Sequence, residues 1–227
     1  MEKHTINVPS VAEFARPRSR RDFFKALAAA GVGAAAGSVL LSRTASAQSS
    51  DVDIANFALT LEYLEAEFYG LALDAGVLSG DALGVVTNLF DHESQHVDAI
   101  IGLLESVGAT PVAKPEFVFP EDAFTSQGSI LELAATFEPV GVGAYLGAAP
   151  LIQSPDILAA AGSIAGVEGE HVVAVNNLVT GLPAAVEAFP AALTMDEVLA
   201  AVSPFIMGGM METGGQEYRD RSSFGRV

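Results

Sequence analysis

Beyond residue 50, apolar side chains recur at helical spacing. Phe57, Ala58, Leu61, Phe68, Tyr69 and Ala72 lie on one stripe with a period of about 3.6 residues, which predicts a first helix from about Asp51, capped at Asp53 and stopped by Gly76. Phe90, Val97, Ile100, Ile101 and Leu104 predict a second helix from Ala82, behind an Asp81 cap, to the stop at Gly108. Residues 109–128 then lose the period. They hold Pro111, Pro115 and Pro120 around Phe117-Val118-Phe119, and read as a long ordered crossover with at most a short extended piece at Glu116 to Phe119. Ser129-Ile130-Leu131-Glu132 has the form of a capping box opening a third helix, which continues through Tyr145 and Leu146. Ser154 and Pro155 supply an N-cap and a first helical residue for a fourth, carried by Ile157, Ile164, Val167 and Val175 to Gly181. Thr194-Met195-Asp196-Glu197 opens a short fifth helix that Pro204 curtails. The pattern is therefore all-α: a four-helix bundle over 51–205 with a long crossover between helices 2 and 3, a short C-terminal fifth helix, and a loose glycine-rich tail over 206–227.

Polar residues interrupt the apolar stripes at matched places. Glu93 and His96 fall along the apolar face of the second helix, and Glu168 and His171 repeat that three-residue spacing on the fourth. Residues three apart on a helix project the same way, so each pair could reach one metal ion. Glu62 precedes Glu93 by 31 residues and Glu138 precedes Glu168 by 30, as though one helical hairpin were written twice. Tyr69 and Tyr145 each follow those carboxylates by seven residues, and both are candidates to act behind the ligands. Glu65 shares the stripe with Glu62, so whether it replaces or assists Glu62 is open, whereas Glu67 reads as a solvated acid. His92 lies about 100° around the helix from Glu93 and reads as a rim residue or one standing behind a ligand, not as a ligand itself. Pro139, directly after Glu138, predicts a kink or bulge beside the site; the alternative is a helix ending at Glu138. Burying these acids without a counterion would be costly, and a metal would remove that cost.

The composition narrows the choice of metal. With no cysteine, ligation falls to carboxylate and imidazole, which suits iron or manganese. Four basic residues against 25 acidic ones follow residue 47, a balance of −21, which disfavours nucleic acid and anionic membrane and draws in cations. The basic residues gather instead before residue 48. There Ser19-Arg20-Arg21-Asp22-Phe23-Phe24-Lys25 leads into an Ala/Gly-rich apolar run ending at Ala45-Ser46-Ala47. This resembles a twin-arginine signal peptide over 1–47, which implies engagement with the twin-arginine export machinery, cleavage after Ala47, and a periplasmic or secreted product.

The ordered set Glu62, Glu93-x-x-His96, Glu138, Glu168-x-x-His171 resembles the ferritin-like superfamily of di-iron carboxylate proteins. The phrase Leu61-Glu62-Tyr63-Leu64-Glu65-Ala66-Glu67-Phe68-Tyr69 is similar to its exported branch that includes desiccation-related proteins. The resemblance covers about Asp53 to Leu182. It implies that Glu62 and His96 bind one ion, Glu138 and His171 the other, and that Glu93 and Glu168 bridge them; Pro139 departs from the usual smooth third helix. The resemblance further implies an exported protein holding two iron or manganese ions that react with oxygen or peroxide, in oxidative-stress or metal-handling protection, as a ferroxidase- or peroxidase-type oxidoreductase. The alternatives are a metal-free protective protein of the same fold and a manganese-catalase-like enzyme. Whether the chain forms a homo-oligomer is left open by the sequence.

Overall fold

The computed structural model describes residues 40–181 and 187–207, with side chains from residue 50 onward. The chain divides into two compact units between Thr44 and Ala45, and the bundle belongs to the second. Its helices are α1 (Leu40–Asp74), α2 (Gly80–Ser106), α3 (Gln127–Ala148), α4 (Pro155–Thr180) and α5 (Met195–Val202), with 3-10 turns at Ala149–Leu151 and Ser203–Phe205. Among the described residues there is no strand, only one isolated bridge between Phe117 and Ile206. The leader expected over 1–47 lies outside the described residues up to residue 39 and ends in the opening of α1. The tail from residue 208 also lies outside them.

Several expected helix starts move upstream. Nothing between Leu40 and Asp53 breaks a helix, so α1 is already formed at Asp53, which is an exposed interior residue and not a cap. The extended backbone before α2 belongs to Ser79, and Asp81 falls in the first turn, where its charge suits the helix dipole. The cap of α3 is Ser126, three residues before the expected Ser129: each serine side chain reaches the other's backbone N–H, closing a box built of two serines. The remaining starts agree with the sequence pattern. Ser154 caps α4 with Pro155 behind it, and Thr194 and Glu197 form the box that opens α5. Gly76, Gly108 and Gly181 follow three of the helices with φ of 66°, 75° and 66°, a left-handed turn that a Cβ would oppose.

Pro139 neither ends nor bulges α3, which is α-helical on both sides of it. The proline is exposed while Glu138 is fully buried, so the carbonyl that loses its partner one turn back lies toward the solvent side of the helix.

Hydrogen bonds between side chains define how the helices run. Tyr69 on α1 meets Glu138 on α3, and Tyr145 on α3 meets Glu62 on α1, so the two helices are antiparallel. With α2 returning from α1 and α4 from α3, helices α2 and α3 are parallel. That is why a long crossover must join them. The crossover is pinned at both ends. Asn56 on α1 accepts from the Val112 N–H at 2.7 Å, while around Phe117 the Val118 N–H donates to the Phe205 carbonyl and the Met207 N–H to the Glu116 carbonyl, both at 2.9 Å. Phe119 and Phe124 from the crossover and Phe205 from the C-terminal turn then pack with Phe68 and Phe137 into one aromatic cluster. At the other end, the buried Asp51 carboxylate accepts the N–H groups of Gln153 and Ser154 at 2.9 and 2.7 Å, tying α1 to the start of α4. The segment before α5 crosses α3 closely, with the Leu193 N–H bonded to the Gly143 carbonyl. A Cβ at Gly147 would stand 1.8 Å from the Leu193 carbonyl oxygen, so only glycine permits this crossing.

Candidate metal centre

The four long helices each turn at least one acid inward at the same level. Glu62, Glu93, Glu138 and Glu168 have no exposed surface, and His96 and His171 are 8% and 2% exposed. Two overlapping groups of ligand atoms result, in each of which all atoms lie within 4.8 Å of one another: Glu62, Glu93, His96 and Glu168 in one, and Glu93, Glu138, Glu168 and His171 in the other. Glu93 and Glu168 belong to both.

Within the first group, His96 Nδ1 lies 2.8 Å from Glu93 Oε2, 3.1 Å from Glu62 Oε2 and 3.3 Å from Glu168 Oε1. In the second, His171 Nδ1 lies 2.8 Å from Glu93 Oε1, 3.3 Å from Glu138 Oε2 and 3.9 Å from Glu168 Oε2. His96 Nδ1 hydrogen-bonds with Glu93 Oε2 and Glu62 Oε2, but the other approaches are poorly aligned: Glu93 Oε1, Glu138 Oε2, both Glu168 oxygens and His171 Nδ1 are buried with no hydrogen-bond partner. Buried polar atoms are nearly always satisfied. Five such atoms converging on one centre are compatible with a set of donors that holds cations.

The outer atoms of the ligands are held from behind. Tyr145 donates its hydroxyl proton to Glu62 Oε1 and Tyr69 donates to Glu138 Oε1, leaving the second oxygen of each carboxylate facing the centre. Burial, reinforced by the neighbouring carboxylates, raises both tyrosine hydroxyls well above 10, so they remain donors. His92 Nδ1 lies 2.9 Å from His171 Nε2, with the two rings stacked at 13°. When His92 accepts the Nε2 proton, Nδ1 of His171 carries the lone pair toward the cluster, the arrangement by which a neighbour orients a metal-binding imidazole.

The protonation balance shows how ill-matched the group is without cations. Burial raises Glu62 to about 7, and the same cause raises Glu65, Glu138 and Glu168. Burial would lift Glu93 as well, but His171 and His96 overcome it and hold the carboxyl at about 2. Burial would lower the imidazoles, yet the surrounding carboxylates push His96 up to about 12 and His171 to about 10. Among the described residues no lysine or arginine takes part, and the one lysine ion pair joins Lys114 to Glu67, outside the cluster.

All six expected ligands and both tyrosines are thus brought together. The residue that spacing alone left unplaced is Glu65, which is 4% exposed and contributes a fifth buried carboxylate. The room for it comes from Gly141 on α3, where a Cβ would lie 3.3 Å from Glu65 Oε1 and 3.0 Å from Glu168 Oε2. Its signal in the sequence was its place on the apolar stripe. Glu67 is a partly exposed acid facing Lys114, in keeping with a solvated position.

A family model for the ferritin-like domain matches residues 50–181. The chain belongs to the ferritin-like domain family. Among solved structures it is similar to a conserved hypothetical protein, rv2844, from Mycobacterium tuberculosis. The identity is 18% and the TM-score 0.54, over 63% of this chain and 99% of that one, a likeness of fold. No curated protein matches the sequence. The ferritin-like fold and the buried carboxylate and histidine cluster are together compatible with a dimetal site.

Proposed function

We infer that this ferritin-like protein holds two iron or manganese ions, one by Glu62 and His96 and one by Glu138 and His171, with Glu93 and Glu168 bridging. The observation that carries this reading is the pair of overlapping donor groups sharing Glu93 and Glu168, in which five buried donor atoms have no hydrogen-bond partner. Four carboxylates and two neutral imidazoles balance two divalent ions, and hard oxygen donors favour their higher oxidation states. Such ions would supply one-electron chemistry toward oxygen or peroxide. The protein's own contribution is to exclude water, to hold the outer carboxylate oxygens by Tyr69 and Tyr145, and to fix the His171 tautomer through His92. The resemblance of the N-terminal segment to a twin-arginine signal supports export with the ions already loaded, and a protective role against oxidants or free metal outside the cytoplasm.

The test is anaerobic titration with Fe(II), and separately Mn(II), followed by exposure to each oxidant. We expect saturation at two ions per chain, then oxidant consumption that stops when the bound metal is spent unless an electron donor is supplied. Absence of stoichiometric metal would favour a metal-free protective protein. Rapid oxygen evolution from peroxide would favour a catalase. Uptake of hundreds of irons per particle would indicate storage.

A further inference from the structure

Of the buried acids in the cluster, Glu65 is the one that the proposed pair of ions does not use. Tyrosines clamp Glu62 and Glu138, and both histidines reach Glu93. Among the described residues none hydrogen-bonds the Glu65 carboxylate, although the residue is only 4% exposed. On its inner side Glu65 shares the space over Gly141 with Glu168, a candidate bridge. On its outer side it lines an opening of about 10 Å³ in the seam between α1 and α3, together with Leu61, Leu64, Phe137, Val140 and Val202. That is about the room that one water or one small ion needs. Among the described residues that line the opening, Glu65 alone carries a charge.

We propose that Glu65 is the port through which cations reach the centre, taking an ion at the seam between α1 and α3 and passing it to Glu168. The inference rests on the two-ion reading above. A hydrated divalent ion must shed water to pass an apolar wall, and a carboxylate standing there replaces the lost ligands. Glu65 suits the task because no hydrogen bond holds it in one position, and because Gly141 puts no side chain between its oxygens and those of Glu168. The histidines on α2 and α4 offer no such handle. His96 is 8% exposed, but its Nδ1 faces three carboxylates, so the nitrogen turned away from them is Nε2, which keeps its proton and has no lone pair for a cation. His171 is 2% exposed, and its Nε2 is engaged by His92. The side of the centre that presents a carboxylate to an arriving ion is therefore the α1 and α3 seam.

Loading can be followed without any reaction by stopped-flow mixing of the metal-free full chain with Co(II), reading its d–d absorbance, and release by adding a chelator. Glu65→Gln keeps the shape of the side chain and removes its charge. This variant should still bind two Co(II) per chain with unchanged Kd, yet load and release both about tenfold more slowly, since a port speeds entry and exit alike. Val140→Phe, or the milder Val140→Leu if the first fails to fold, fills the seam without touching a carboxylate and should also slow both rates. Loading of Glu65→Gln at the parent rate overturns the proposal, and so does a folded seam-filling variant that loads as fast as the parent. A Glu65→Gln protein that saturates at one ion, or binds both more weakly at the parent's loading rate, makes Glu65 a ligand of the resting pair and overturns the port while leaving the metal reading intact. A parent chain that takes up no stoichiometric Co(II) overturns the two-ion reading, and the port with it.

Discussion

The hairpin of α1 and α2 and the hairpin of α3 and α4 carry the same candidate ligands in the same register, yet they are not equivalent. Glu138 and Tyr145 stand 76 residues after Glu62 and Tyr69, and Glu168 and His171 stand 75 after Glu93 and His96. At the same offsets Glu65 is matched by Gly141, and His92 by Val167. Neither difference is idle. The glycine clears the space that the Glu65 carboxylate occupies, and His92 supports His171, whereas among the described residues His96 has no such partner. Surroundings diverge further, with Phe68 packed against Tyr69 and a partly open apolar pocket, lined by alanines, isoleucines and Phe57, beside Tyr145. A duplicated ligand set thus sits in a frame that treats its two halves differently, and reactivity is expected to be unequal between them.

The largest effect should come from the residues the halves share. Glu93→Ala or Glu168→Ala should remove both ions by elemental analysis, whereas His96→Ala or His171→Ala should remove about one. Equal losses from all four variants would mean that the two donor groups are not separate sites.

Next in size is the pH dependence of the metal-free protein. Glu62 is raised from 4.5 to about 7 in the folded state, so its contribution to stability is complete below about 4.5 and lost as pH rises through 7. That is about 3 kcal/mol for Glu62 alone. Glu65, Glu138 and Glu168 act in the same direction. His96 and His171 lose theirs progressively as pH rises from about 6.5 through 12 and 10, which adds to the fall between pH 6.5 and 8, whereas Glu93 loses its contribution as pH falls from 4.5 through 2. The metal-free protein should therefore melt at a lower temperature at pH 8 than at pH 5, and saturating metal should reverse the order. A flat melting profile without metal would show that the carboxylates are not buried together.

His92→Ala should weaken one ion's binding about 10- to 100-fold and leave the other unchanged, because only one half has this support. Calorimetric titration resolving two affinities in the variant, against nearer values in the parent, is the expected result; a uniform weakening would deny the asymmetry.

The smallest effect concerns Glu65 and Gly141. Gly141→Ala should lower metal affinity by crowding both Glu168 and Glu65, and Glu65→Ala should restore part of the loss, a coupling of about 0.5 to 3 kcal/mol in a double-mutant cycle. Strict additivity would place Glu65 away from the glycine.

Much of this arrangement was legible because it is local. A three-residue spacing on a helix puts Glu93 beside His96 and Glu168 beside His171 whatever else the chain does, and prolines with a lost period announce the crossover. Helix starts were less legible. Ser129-x-x-Glu132 imitates a better capping box than the Ser126–Ser129 pair that forms, and no residue before Asp53 marks where α1 does not begin.

From the sequence alone came the helical content, the order of the ligands and the acidity that calls for cations, since each depends on neighbours a few residues apart. Only the tertiary structure decided that Tyr69 serves Glu138 and Tyr145 serves Glu62, across 69 and 83 residues, because that exchange exists only once α1 and α3 lie antiparallel. It also decided that Glu65 is buried against Gly141 and that one end of the site is filled while the other stays open. Side-chain volumes from four separate helices meet at those points, and no spacing along one helix specifies how such volumes will add.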